Sequence, residues 1–181
     1  MTADSDDLRS RAGLPDPLRI LLAEYPRAGW ERDGGKSDLV MFWLERHLAF
    51  RNILKTLRED TEALIGKTMD FQVFAPRFAQ LGNGFLNALH GHHMIEDMQY
   101  FPRLAQIDGR LDHGFRILDA DHHALDEELE SLAGAANGVL NGGPPLELAD
   151  TLERLDGFLD RHLTDEEDLI VPVILKSGFR G

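Results

Sequence analysis

Three histidines fall within four positions in the stretch HGHHMIEDMQYFP, His90 to Pro102, and a carboxylate, Glu96, stands four residues after His92. Imidazole nitrogen and carboxylate oxygen are borderline-to-hard donors, and residues at i and i+4 reach the same side of a helix, so the pair suits a transition-metal cation. The pattern recurs downstream. His162 stands four residues before Glu166 and ten before Pro172, just as His92 stands four before Glu96 and ten before Pro102. The segments before each pair match as well. His47 is followed at +3, +7 and +10 by Phe50, Leu54 and Leu57, and His122 by Leu125, Leu129 and Leu132. The chain reads as two copies of one helical hairpin, each with a His on its first helix and His-x-x-x-Glu on its second.

Helical periodicity says which of these groups face a core. Phe71, Phe74, Phe78, Leu81, Phe85 and Leu89 form one stripe whose continuation passes between His92 and Glu96. His93 lies about 75° from that centre and His90 about 135°, which makes His93 an auxiliary candidate on the flank and His90 a bystander. Leu148, Leu152, Leu155, Leu159 and Leu169 define a second stripe that holds His162 and Glu166. Glu167 falls about 105° off it and, like Asp97, reads as solvated surface. His47 sits among Val40, Trp43, Phe50 and Leu54; His122 sits among Phe115, Leu118, Leu125 and Leu129. His123 and His113 point away, and Asp126, four after His122, lies at the edge of its stripe.

Four imidazoles and two carboxylates on apolar stripes would cost many kcal/mol to bury without compensation. A hydrogen-bond network could offset that cost, but it gives no reason for the duplicated spacing. Bound cations do. Six donors are too many for one tetrahedral zinc. They suit two metal ions, each held by two histidines and both bridged by Glu96 and Glu166. The order and spacing differ from the Glu-x-x-His pattern of ferritin-type centres.

Positioning such donors requires long helices. The periodicity predicts four of them, near 38–65, 71–101, 112–140 and 145–170, opened by Ser37 or Asp38 as N-cap. Short connections at 66–70, after Pro102 and at 141–145 make neighbours antiparallel. An all-α, up-down-up-down four-helix bundle follows. Pro102 and Pro172 are expected to end or kink their helices. Residues 1–36, broken by prolines and glycines, form an irregular N-terminal arm packed on the bundle, with a short helix over 17–24. The bundle domain spans 37–176, and a tail follows over 177–181.

Composition narrows the function classes. The formal charge of −13 argues against nucleic-acid and membrane partners. The chain has no cysteine, which excludes disulfides, thiolate catalysis and iron–sulfur clusters. No secretory leader or membrane span is visible, so a cytoplasmic protein is expected.

His47, His92-x-x-x-Glu96 with the following YFP, His122, and His162-x-x-x-Glu166 resemble the hemerythrin-like, or HHE cation-binding, domain over about 38–176. The resemblance implies an antiparallel four-helix bundle around a non-haem di-iron centre. His47 and His92 would bind one iron, His122 and His162 the other, with Glu96 and Glu166 bridging; manganese or zinc could replace iron. Two departures stand out. Hemerythrin proper has His-x-x-x-His on its third helix, whereas positions 118 and 126 are Leu and Asp. Its fourth-helix carboxylate is an Asp five residues after the His, whereas the in-facing group here is Glu166 at four. Both weigh against tight, reversible O₂ storage.

The expected function is binding or sensing of a small diatomic ligand or peroxide, or holding iron. Leu118, Leu159, Leu163 and Phe115 are candidates to keep the pocket apolar. An enzyme acting on peroxide is the second reading, ranked lower because no acid–base group beyond the ligands is evident. A helical interaction module with a zinc-filled or vestigial site is the third.

Overall fold

The computed structural model describes residues 6–30 and 37–180. Among them the order is a 3₁₀ turn (Asp16–Leu18), α1 (Ile20–Glu24), a 3₁₀ turn (Arg27–Gly29), α2 (Asp38–Ile65) and α3 (Phe71–Ile95). There follow a π-helical turn (Glu96–Tyr100), α4 (Phe101–Ala105), a 3₁₀ turn (Gly109–Leu111), α5 (Asp112–Leu140) and α6 (Leu146–Ser177). No strand occurs among the described residues, and no helix there is long and apolar enough to cross a membrane.

Ser37 opens α2 by accepting the Val40 N–H at 3.4 Å, and Asp38 adds an acid to the first turn, where the helix dipole favours it. Gly178, left-handed at φ 69°, closes α6 by donating its N–H to the Ile174 carbonyl at 2.9 Å. Ion pairs fix the directions. Along α2, Arg51 meets Asp160 and Arg58 meets Asp156, so partners on α6 fall as numbers on α2 rise. His122 pairs with Asp97 on the π-turn, while Asp126, one turn on, approaches His90. The bundle is therefore antiparallel throughout.

The apolar stripes meet in two core clusters. One holds Phe50, Leu54, Phe78, Phe85, Leu125 and Leu155; the other holds Val40, Trp43, Phe101, Leu118, Leu169 and Ile174. Between them on every long helix lies a His or Glu: His47 between Trp43 and Phe50, His122 between Leu118 and Leu125, Glu166 before Leu169. A polar layer thus divides the core.

Three expectations change. The helix expected to stop near 170 runs through Pro172 to Ser177. Proline costs about 3 kcal/mol in a helix interior, but Leu169 to Ile174 are buried on all sides, and that packing outweighs one lost hydrogen bond. Pro102 acts differently: ahead of it the chain widens into the π-turn, with Phe101 N–H reaching back to Glu96 O, and helix then resumes as α4. In the arm, the helix expected over 17–24 is a 3₁₀ turn followed by α1, with Arg19 at φ −94°, ψ 13° breaking the two. The arm packs closely: Leu8, Leu14, Leu18, Leu21 and Trp30 are all buried. The arm's expected end at 36 falls on residues 31–36, outside the described ones.

Candidate metal centre

The polar layer gathers every inward candidate. His47, His92, Glu96 and Glu166 place one donor atom each within 4.8 Å of one another, and His93, His122 and His162 form a second such group. The two carboxylates span both. Glu96 Oε1 lies 2.8 Å from His92 Nε2, while its Oε2 lies 3.5 Å from His122 Nε2. Glu166 Oε2 lies 3.4 Å from His47 Nε2 and 3.6 Å from His162 Nε2. His47 Nε2 and His92 Nε2 face each other at 3.2 Å.

What these atoms lack is as informative as what they touch. Both ring nitrogens of His93, both oxygens of Glu96, Nε2 of His122 and His162, and Oε2 of Glu166 are buried with no hydrogen-bond partner. Buried polar groups are normally paired, and leaving this many orphaned in one layer would be strongly unfavourable. They converge on a common space, as lone pairs aimed at cations would.

The outer ring nitrogens are held. His47 Nδ1 donates to Glu167 at 3.0 Å, His122 Nδ1 to Asp97 at 2.8 Å, and His162 Nδ1 to Asp121 at 3.2 Å. A carboxylate on Nδ1–H fixes the tautomer that leaves the Nε2 lone pair pointing inward. The repeat reappears here. The acid after each inward Glu, Asp97 or Glu167, supports the first-helix histidine of the other hairpin. Trp43 Nε1–H donates to Glu166 Oε1 at 2.5 Å and orients that carboxylate.

Without a cation, burial dominates the electrostatics. It lowers the His162 imidazole to about 3 and His92 to about 4, and pushes His93 well below the usual histidine range. It raises Glu166 to about 8, with Glu96 adding to the effect, and lifts Glu96 well above the carboxylate range. Burial also opposes ionisation of Glu167, but the His47 hydrogen bond and the Arg51 guanidinium hold it down at about 2. Burial thus favours the neutral forms of His92, His93, His162, Glu96 and Glu166, whereas the partners of Asp121 and Glu167 hold those two as carboxylates.

His93 is the residue that sequence reasoning left on the flank. Its ring stacks on His122 at 4.0 Å between centroids and 9° between planes, and it stands edge-on to His162 at 5.3 Å. The single-stripe argument failed because α3 packs against both α2 and α5. Adjacent histidines straddle the stripe centre, His92 toward α2 and His93 toward α5. Asp97 and Glu167 are corrected too: they serve the centre's outer side instead of solvent. Asp126 stays outside, half-exposed beside His90 at 3.6 Å. His113 pairs with Asp6 and His123 with the Asp119 carbonyl, both away from the layer.

One cleft reaches the centre. It measures about 360 Å³ and is lined by Phe42, Trp43, Arg46, Gly91, His92, Ile95, Glu96 and Tyr100, among others. It opens on the two-histidine group. The residues expected to line a pocket differ: Leu118, Leu159, Leu163 and Phe115 are packed into the cores.

A model of the Hemerythrin HHE cation binding domain matches residues 38–114 and 113–181. The chain belongs to the hemerythrin HHE family. The two matched segments meet at the start of α5, so each covers one hairpin of the repeat. Comparison with curated proteins and with solved structures gives no match. In this HHE domain the buried His/Glu cluster is compatible with cation binding, and its orphaned donor atoms fit that chemistry.

Proposed function

We propose that the chain holds two metal ions in the polar layer and uses them to bind or sense O₂, NO or peroxide. His93, His122 and His162 hold one ion, His47 and His92 the other, and Glu96 and Glu166 bridge. The observation that carries this reading is the convergence of buried donor atoms with no hydrogen-bond partner in one layer. Five imidazoles and two carboxylates suit iron; manganese or zinc can occupy the same donors according to supply. The histidine missing at positions 118 and 126 is supplied in space by His93, which removes one of the two arguments against O₂ binding. The second still stands, since the inward carboxylate is Glu166 at +4.

A bound metal pair supplies electrophilic positions for small anions and diatomic molecules. The chain's own residues decide where such a ligand arrives. The three-histidine group is enclosed, whereas the two-histidine group borders the cleft, so the ligand reaches His92 past Phe42, Ile95 and Tyr100. Trp43 and Tyr100, in edge contact at 4.7 Å, wall the cleft and exclude bulk water near Glu166.

We rank binding above turnover, because among the described residues Arg46 is the one charged side chain outside the ligand set that lines the cleft, and it cannot act as a general base. The test is stopped-flow spectroscopy of iron-loaded protein mixed with O₂, NO and H₂O₂. A stable adduct supports the binding reading; sustained peroxide loss points to the enzyme.

A further inference from the structure

The N-terminal arm reaches deeper into the centre than packing alone requires. Arg11, with 1% of its side chain exposed, bonds both oxygens of Asp121 and reaches Asp165 Oδ2 at 2.7 Å. Its remaining reach goes to the Asp6 carbonyl at 2.8 Å. Asp121 is the carboxylate that holds His162 Nδ1. The arm backbone is tied down around the same point, with Leu14 N–H donating to Asp165 at 3.3 Å and Arg161 donating to the Ala12 carbonyl at 2.9 Å.

The two halves of the centre differ here. Glu167, which supports His47, is held by two arginines: Arg27 from the arm and Arg51 from α2, each at 2.8 Å. Arg51 belongs to the bundle, so this half keeps a cation whether or not the arm is docked. Asp121 has Arg11 as its cation among the described residues. Without it, Asp121 and Asp165 would be two buried carboxylates facing each other with Arg161 on Asp165 alone. That arrangement admits water or moves apart, and either outcome releases the His162 ring.

We propose that Arg11 is a positioning residue of the metal centre, so that occupancy of the three-histidine half depends on a docked arm. By reciprocity, metal binding in that half holds the arm in place. This rests on the dinuclear reading above and adds an asymmetry that the reading does not contain: one half is self-sufficient, and the other is completed by a segment outside the bundle.

The test is Co²⁺ titration of the full chain against a competing chelator, followed by visible absorption, in the native protein and in Arg11→Gln, Arg11→Lys and Arg9→Gln. Arg9 is the neighbouring arm arginine in an exposed pair with Glu127, and its variant controls for arm charge. The native protein and Arg9→Gln should bind two equivalents. In Arg11→Gln one equivalent should bind as in the native protein and the other up to about 10- to 100-fold more weakly, the effect of losing an outer-sphere partner such as Asp121, which Arg11 holds. Arg11→Lys keeps the charge without the fork and should show the same split, smaller; it is the variant to read if Arg11→Gln does not fold. Hydrogen exchange supplies the second readout: Co²⁺ should slow exchange over residues 6–30 of the native protein. Two unchanged equivalents in the Arg11 variants, equal weakening of both, or an arm indifferent to Co²⁺ overturns the proposal. Fewer than two equivalents in the native protein instead sinks the dinuclear reading itself.

Discussion

At the scale of single residues, the centre is a contrast between two sets of groups. The inward set is buried and short of partners; in the outward set arginines hold Asp121 and Glu167, while Asp97 meets His122. This contrast predicts what substitution will do. His93→Ala should cost one of the two metal equivalents, as should His162→Ala, whereas His90→Ala should bind both ions as the native protein does. Metal analysis after reconstitution reads all three, and loss of metal in His90→Ala would contradict the facing geometry. Asp97→Ala should weaken the three-histidine ion about 10- to 100-fold while leaving the fold intact, because it frees only the His122 ring. Much of this set was legible in the sequence. The duplicated His-x-x-x-Glu spacing exposed His92, Glu96, His162 and Glu166, and matching apolar offsets exposed His47 and His122. His93 was less visible because a stripe centred on one neighbour hides a residue that turns toward another. Asp97 and Glu167 carried a signal, an acid following each inward Glu in both copies, but acid pairs on helices are so often solvated that the repeat alone did not promote them.

At the scale of elements, four long helices with apolar stripes carry the layer, and periodicity revealed them with bounds that hold for α2 and α5. The discrepancies sit at proline. A sequence pattern registers the lost N–H of Pro172 but not the burial on every side that keeps α6 going, nor the π-turn by which α3 accommodates Pro102 at Glu96. Packing of the stripes sets the stability of the bundle. Leu125, fully buried in the cluster below the polar layer, should cost about 2–5 kcal/mol on replacement by alanine. Leu48, 56% exposed on α2, should change stability by about 0.5 kcal/mol or less. Urea denaturation of the metal-free proteins measures both, and similar costs at the two positions would mean the stripes are assigned to the wrong faces.

Across the whole molecule, burial of the polar layer ties its ionisation to folding, and pH exposes that link. His92 and His162 are lowered in the folded state, so their contribution is present above about 6.5 and is lost as pH falls through that value toward 4 and 3. Glu166 is raised to about 8, so its contribution is present at low pH and is lost as pH rises from about 4.5 through 8. Between about pH 4.5 and 6.5 the two histidines outweigh the one glutamate, so the metal-free protein should be most stable near pH 6.5 and lose stability from there toward 8. Cation binding needs Glu166 ionised and the histidines neutral, so metal affinity should rise with pH over the same range in which metal-free stability declines. Denaturation curves across pH, with and without metal, check the opposite slopes. The arm's place in this scheme was outside the reach of sequence reasoning. Arg11 follows no periodicity and lies far from Asp121 and Asp165 in the chain; only the folded arrangement brings the three together.

The central claim, two ions in one buried layer, is tested most directly by anaerobic reconstitution with ferrous iron, removal of excess metal and quantitative metal analysis. Two equivalents per chain, falling to about one in His93→Ala, is the result expected from an outer-sphere-supported pair of sites. One equivalent or fewer in the native protein would contradict it.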